Sequence, residues 1–174
     1  MVGVQTCLVS AARAARVDGE CLRYRLDVVA GSAADVVRTA GGWLCDRAMA
    51  GWEVTVLLPH GCDARPLRIL GAGTEDLESR MNATSHALAV SAEAFTADDR
   101  VRDRVLKALG DPLTEVALWG DGWPLGVNRG MAKAQHVLSD AARAFKGQAL
   151  AAAGIPCCSI NPTEMMMTDS AWLH

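Results

Sequence analysis

The clearest alternation of apolar and polar residues lies in the first third of the chain. A β-prone run ends at Val29, and apolar residues then recur at three- and four-residue intervals, which predicts one buried face of a helix. Ser32 and Asp35 have the S-x-x-D spacing of a capping box at the start of that helix, and Gly51 follows its end. A second apolar run then reaches Leu58. Two strands joined through a helix by short turns predict a right-handed βαβ unit with parallel strands.

The rest of the pattern predicts more strands and helices in alternation. Strand-length apolar runs occur at 21–29, 67–70, 86–95 and 114–119, and helical periods occur at 74–81, 99–109 and 131–153. The loop 59–66 before the run at 67–70 is too short for a helical crossover, so that strand is expected to pair antiparallel to its predecessor or to lie elsewhere in the sheet. Alternating elements predict an α/β layered sheet of about five mostly parallel strands with helices on both faces, in the Rossmann-like or flavodoxin-like class.

The predicted organisation has three parts. Residues 1–20 form an N-terminal arm or short helix, residues 21–154 form a single α/β domain, and residues 155–174 form an apolar tail without a period. A chain of 174 residues is long enough for one full core and too short for two domains of ordinary size. The strand order stays open at this point.

Charge and hydropathy exclude two classes of partner. The formal net charge is −3, and Lys and Arg are interleaved with Asp and Glu, so no basic face for nucleic acid is expected. A membrane-spanning helix needs roughly 18 or more consecutive apolar residues, and no such run occurs. We therefore expect neither nucleic acid nor a membrane as partner.

The termini and cysteines indicate the compartment. No basic residue precedes the short apolar stretch at the N-terminus, which argues against a signal peptide. The chain has six cysteines at irregular spacing without a C-x-x-C pair, a pattern typical of reduced thiols. The predicted location is the cytoplasm.

Loops at strand ends are the expected ligand-binding positions, because α/β sheets bind ligands beyond the carboxyl ends of their strands. The residues in these loops that we expect to bind a ligand are Gly31, Ser32, His60, Gly71, Gly73, Thr74, Asp121 and Trp123. Gly71 and Gly73 give the first half of a G-x-G-x-x-G fingerprint, but Asp76 occupies the third glycine position. Its charge would repel a pyrophosphate, so an ordinary tight turn is the favoured interpretation there.

The same loops give little support for catalysis or cofactors. Ser32 could help to bind an anion, although capping of the helix is the simpler role. Asp121 beside Trp123 could contact a ligand or form a turn over the core. One loop contains three potential metal ligands, His60, Cys62 and Asp63, but no second cluster at metal-ligand spacing accompanies them. We therefore predict no catalytic residues, no metal and no cofactor from the sequence.

Two apolar features predict a homodimer. Gly41 and Gly42 lie inside a predicted helix, where glycine is unfavourable, so either the helix is broken or another element packs closely there. Met165–Met167 and Trp172 supply adaptable apolar surface in the tail. A two-fold contact made by these surfaces is expected, and packing of the tail on its own domain is the alternative.

These observations favour a cytoplasmic, non-catalytic regulatory or adaptor protein that binds a small ligand or a protein partner. The alternative is a small enzyme that acts on a nucleotide-like or acyl substrate at the strand-end loops. An enzyme is expected to bring titratable side chains such as His60, Asp63 and Asp121 into one pocket, whereas a binding protein has no such requirement.

Overall fold

The computed structural model describes residues 23–169, so the predicted N-terminal arm, Cys7, Cys21 and Trp172 lie outside the described residues. The strands are β1 Arg25–Val29, β2 Glu53–Leu58, β3 Gly73–Asp76, β4 Ala87–Ser91, β5 Glu115–Trp119, β6 Ala132–Val137 and β7 Thr163–Thr168. The helices are α1 Ala33–Met49, α2 Arg65–Ile69, α3 Ala92–Ala97, α4 Asp99–Leu109, α5 Leu125–Asn128 and α6 Asp140–Ala152, with a 3₁₀ helix at Leu77–Arg80.

All of these strands belong to one sheet with the order β3-β2-β1-β4-β5-β7-β6. The first five strands in that order are parallel, and β7 runs antiparallel to both of its neighbours. The predicted parallel βαβ unit is confirmed, with Val28 opposite Val56. The predicted strand count of about five is too low, because the described part of the chain forms a seven-stranded sheet.

Helices cover both faces of the sheet, as the sequence predicts. Val36, Trp43 and Leu44 of α1 pack on one face together with residues of α2 and α6. Val101 and Val105 of α4 pack on the other face beside residues of α3 and α5. The strands between these layers are apolar on both sides, which is the burial that a parallel sheet requires.

Helix α1 begins as predicted. The Ser32 hydroxyl accepts the N–H of Asp35 at 3.2 Å, and Gly51 adopts a φ of +93° just after the helix. Gly41 and Gly42 do permit close packing: a Cβ at Gly42 would overlap the Leu138 side chain, and one at Gly41 would lie 3.3 Å from Leu70. The close approach is therefore made within this chain.

The prediction for residues 67–81 is wrong in element type. Pro66 lies in the first turn of α2, where its fixed φ suits a helix, so residues 67–69 are helical. The next segment, predicted as a helix, begins with β3, which pairs parallel to β2. Strand β3 is at the sheet edge and mostly exposed, so it lacks the apolar alternation by which a strand is recognised.

Two helix starts after β4 also differ from the prediction. Strand β4 stops at Ser91, whose hydroxyl accepts the N–H of Ala94 and caps α3, so the predicted strand to residue 95 is too long. The spacing of Thr96 and Asp99 in the sequence predicts a second capping box, but helix α4 is capped by Asp98, which accepts the N–H of Arg100 at 2.9 Å. Short polar residues can each cap a helix, and the local sequence does not choose among them.

The long helix predicted at 131–153 is divided into β6 and α6. Ser139 caps α6 by accepting the N–H of Ala142 at 3.0 Å. The partner of β6 is β7, which lies within the predicted tail and pairs in register through Ala134 and Met166. This pairing joins segments about 30 residues apart, and such a partner leaves no local period in the sequence.

Part of the predicted dimer surface is occupied within the chain, whereas Met165 is exposed. Met166 is buried in β7, and Gly41 and Gly42 face Leu70 and Leu138. The homodimer stays a prediction, and Met166, Gly41 and Gly42 are not available for its contact. Within residues 23–169, no helix is long and apolar enough to cross a membrane.

Candidate active site

The order of strands reverses between β1 and β4. From β1 the chain builds β2 and β3 to one side, and it then returns to build β4 and β5 on the other. Diverging connections leave a crevice beyond the carboxyl ends of the strands at such a point. A hollow of about 560 Å³ lies there, and we name it the switch-point cleft. It is lined by Asp35, Ser91, Ala92, Glu93, Thr96, Ala97, Trp119, Gly120 and Asp121.

Asp35 is the carboxylate held most firmly in the cleft. It lies in the first turn of α1, directly after β1. Its Oδ2 accepts a hydrogen bond of 2.8 Å from the indole N–H of Trp119, the last residue of β5. Its Oδ1 lies 3.4 Å from the hydroxyl of Thr39. The Asp35 carboxylate therefore connects the segment that follows β1 to the end of β5, across the point where the strand order reverses.

Glu93 and Asp121 bring two further carboxylates to the cleft. A Cβ on Gly31 would lie 2.8 Å from Oε1 of Glu93, so the missing side chain of Gly31 leaves room for this carboxylate. Glu93 and Asp121 are both exposed. No Lys, Arg or His is among the residues of 23–169 that line the cleft, so these side chains give it a negative potential.

The backbone around α3 is packed tightly against the end of β5. Gly120 has a φ of +88°, and a Cβ placed on it would lie 3.0 Å from the Cβ of Ala92. The hydroxyl of Thr96 donates to the Ala92 carbonyl at 2.9 Å. These contacts fix the wall of the switch-point cleft opposite Asp35.

The predicted ligand-binding residues are dispersed. Gly31, Ser32 and Asp121 lie at the edge that carries the cleft. Trp123 follows Asp121 but packs on Phe95 with ring centroids 4.7 Å apart, outside the cleft lining. His60 is exposed in the loop after β2, 3.5 Å from Asp76.

Gly71, Gly73 and Thr74 lie away from the cleft. Gly71 follows α2 with a φ of +82°, and the other two residues begin the edge strand β3. The expected turn between a strand and a helix does not exist at this point, so the half-fingerprint has no nucleotide-binding geometry. Asp63 pairs with Arg65 at 2.8 Å. His60, Asp63 and Asp121 therefore do not share this cleft.

Sequence reasoning missed Asp35, Glu93 and Trp119 as site residues. Asp35 was assigned to a capping box, Glu93 to a strand and Trp119 to the end of a strand. Each follows or ends a parallel strand, and this common position was the available signal. The meeting of Asp35 and Trp119 depends on strand order, which the sequence left open.

No metal-binding group is found in residues 23–169. No three His, Cys, Asp or Glu side chains in this range converge closely enough to hold an ion.

A larger hollow of about 780 Å³ lies at the opposite, amino edge of the sheet. Two of its cations are already paired: Arg104 binds the buried Asp27 at 2.5 Å, and Arg100 binds Glu78 at 3.1 Å. The hollow lies away from the carboxyl ends of the strands, so we assign the chemistry to the smaller cleft.

Asp46 organises a polar cluster away from both hollows. It accepts from the hydroxyl of Ser139 at 2.6 Å and lies 2.8 Å from Nε2 of His136. Burial acts to raise the pKa of Asp46, but the hydrogen bonds from Ser139 and His136 outweigh it and lower the pKa. The serine contacts the aspartate rather than the histidine, so this is not the order of a nucleophilic triad.

Three solved structures share this fold. A40926 pseudoaglycone deacetylase Dbv21 has a TM-score of 0.54 at 17% identity, with 75% of this chain and 81% of that chain covered. A triple mutant of the deacetylase Orf2, which is involved in the teicoplanin biosynthetic pathway, has a TM-score of 0.55 at 16% identity, covering 74% of this chain and 81% of that chain. The zinc inhibited form of teicoplanin deacetylase Orf2 has a TM-score of 0.52 at 14% identity, covering 73% and 82%.

No family model and no curated protein matches the chain. The structural likeness corrects the expectation of a non-catalytic regulatory or adaptor protein, because the solved structures named above are enzymes. At these identities the likeness establishes the α/β fold alone.

Proposed function

We propose that this protein is a hydrolase that removes an acyl group from an amine in the switch-point cleft. The observation that carries the proposal is the Asp35 carboxylate, held by Trp119 where the strand order reverses. The deacetylases that share the fold support acyl chemistry over the nucleotide-like alternative. The charge of the cleft supports it too, because carboxylates without a lining cation repel phosphate groups.

Asp35 acts as the general base. A carboxylate within hydrogen-bond reach of a water molecule can remove its proton while the water oxygen attacks an acyl carbon. Trp119 holds one carboxylate oxygen, and the cleft gives water access to the group. The new carbon–oxygen bond forms first, and the carbonyl electrons move to oxygen to give a tetrahedral oxyanion. When the oxyanion collapses, the carbon–nitrogen bond breaks and the proton taken by Asp35 passes to the departing nitrogen. One water molecule is consumed, and an acid and an amine are released.

The N-terminus of α1 stabilises the oxyanion that forms during the attack. The first N–H groups of a helix have no acceptor within it, and the helix dipole adds positive potential there. Helix α1 has 17 residues and begins at Ala33, and because Ser32 already accepts the N–H of Asp35, this role falls to the N–H groups of Ala33 and Ala34. Backbone N–H groups placed in this way are suited to a developing negative charge.

Glu93 and Asp121 favour substrates whose amine portion carries a positive charge. Both carboxylates are exposed at the cleft without a lining cation beside them. An amine released at neutral pH becomes an ammonium ion, which the same carboxylates attract. Substrates with an added carboxylate are disfavoured for the same reason.

The test measures acetate release by proton NMR from three acetamides of different charge. The probes are mono-N-acetylethylenediamine, N-propylacetamide and N-acetylglycine. We expect turnover in the order cationic, neutral, anionic, and we expect Asp35→Asn to reduce the rate at least about 100-fold, as is typical for loss of a general base. Asp103→Asn, which removes an exposed carboxylate from α4, is the matched control. Equal rates for both variants would contradict the proposal, as would a wild-type protein inactive on all three probes.

We also propose the cytoplasm as the location, with a small molecule as the partner and a homodimer as the assembly. Free thiols at Cys45, Cys62, Cys157 and Cys158 support the location, because disulfides are rare in reducing compartments.

A further inference from the structure

Trp119 is unusual among the buried aromatic residues because its polar atom is directed to a site. The residue is only 3% exposed, yet its indole N–H donates to Asp35 Oδ2 at 2.8 Å. An indole N–H is a donor without acceptor capacity, so it suits a carboxylate oxygen. The two residues are 84 positions apart and come from β5 and α1.

The helix would otherwise offer Asp35 a different partner. In a capping box the acidic side chain turns back to the N–H of the capping residue. Here the Ser32 hydroxyl does accept the N–H of Asp35, but the Asp35 carboxylate bonds to Trp119 and Thr39. The cap is thus half formed, and the carboxylate is kept over the switch-point cleft.

We propose that Trp119 is a positioning residue that fixes Asp35 as the base of the switch-point cleft. This inference rests on the proposed hydrolysis. Packing immobilises the indole ring, so the donor stays in place without the entropy cost that a flexible side chain would carry. Because Trp119 acts on the base rather than on the substrate, its loss lowers kcat and leaves KM nearly unchanged.

Trp123 provides a matched control for the loss of a buried indole. It lies four residues further along, is 7% exposed and packs on Phe95, but its indole N–H has no hydrogen-bond acceptor among the described residues. Trp119→Phe and Trp123→Phe remove the same atoms from the same edge of the sheet. Only the first removes a hydrogen bond to Asp35.

The kinetic experiment compares both variants with the wild type on mono-N-acetylethylenediamine, after urea unfolding has shown that each is folded. We expect Trp119→Phe to lower kcat about tenfold, in keeping with the loss of one hydrogen bond to a charged group, and Trp123→Phe to lower it less than twofold. Equal kcat values for the two variants would overturn the positioning role of Trp119. If the wild type is active in the same assay, the proposed hydrolysis is still supported.

An NMR experiment tests the same contact without activity. The indole N–H signal of Trp119, assigned by its disappearance in Trp119→Phe, should shift upfield in Asp35→Asn, because a charge-assisted hydrogen bond becomes a neutral one. The Trp123 signal should stay in place. An unmoved Trp119 signal would overturn the inference whether or not the protein hydrolyses the probe. If the Trp119 signal shifts but the protein is inactive, the hydrogen bond between Trp119 and Asp35 is supported and the proposed hydrolysis is overturned.

Discussion

The ammonium group of Lys146 lies 2.5 Å from Oε1 of Glu164, and both side chains are almost fully buried. Glu164 also accepts the backbone N–H groups of Gly42 and Trp43 at 2.9 and 2.7 Å, in the middle of α1. Lys146 donates to the carbonyl of Arg38 at 2.8 Å. In a regular helix the Arg38 carbonyl is the acceptor for the N–H of Gly42, so the ion pair joins α6 and β7 to the backbone of α1.

Replacing Glu164 with Ala should strongly destabilise the fold. The change leaves the Lys146 ammonium buried without its counter-charge, which typically costs about 3–5 kcal/mol. Urea unfolding measures the loss, and Glu53→Ala, at the exposed start of β2, is the control. Equal free energies of unfolding for the two variants would show that the buried pair contributes little.

Gly42→Ala should destabilise the protein although alanine is the better helix former. The added methyl group overlaps the Leu138 side chain, and overpacking of this kind costs about 1–3 kcal/mol. Gly147→Ala in α6 is the matched substitution, since its Cβ would meet nothing closer than Ile160 at 3.8 Å. It should stabilise the helix by up to about 1 kcal/mol. Thermal unfolding of both variants checks the opposite signs, and a shared sign would contradict the packing argument.

The cluster around Asp46 predicts a loss of stability in acid. The pKa of Asp46 is lower in the folded protein than its ordinary value of 3.8, because the hydrogen bonds from Ser139 and His136 outweigh the effect of burial. The contribution of this carboxylate is therefore fully present well above pH 3.8 and is lost as the pH falls through the folded-state pKa. Asp46→Asn removes the contribution at all pH values.

The measurement is urea unfolding of the wild type and Asp46→Asn between neutral pH and the acid limit of folding. The difference between their free energies of unfolding should shrink as the pH falls below 3.8, where the Asp46 carboxylate takes up a proton in the unfolded chain first. A difference that grows in that range would contradict the assigned sign.

The cysteines should differ in their reactivity. Cys62, Cys157 and Cys158 are exposed, whereas Cys45 is buried. Burial, together with the charges of Asp46 and Glu164, raises the pKa of the Cys45 thiol, so little reactive thiolate forms there. In native protein, alkylation followed by peptide mass spectrometry should label Cys45 last among these four cysteines.

In denaturant without a reductant, all six cysteines of the chain should react if the protein is cytoplasmic. Two or more protected thiols that become reactive only after reduction would contradict the proposed location.

The first βαβ unit followed from the sequence because its determinants are local. The stripe of apolar residues on α1, the capping Ser32 and the buried run of β2 each act within a few residues. A glycine at position 42, inside a helix, predicts that another part of the protein packs closely against the helix there, and in the structure this is Leu138. The identity of that partner required the tertiary structure.

Tertiary structure alone decided the elements and contacts whose partners are distant in the chain. Strands β6 and β3 are mostly exposed edge strands with almost no large apolar residues, and β7 exists through its pairing with β5 and β6. The candidate site has the same origin. The local sequence predicts only a capping-box role for Asp35. The order of the strands brings Trp119, 84 residues later, within hydrogen-bonding distance of the Asp35 carboxylate and so places it in the switch-point cleft.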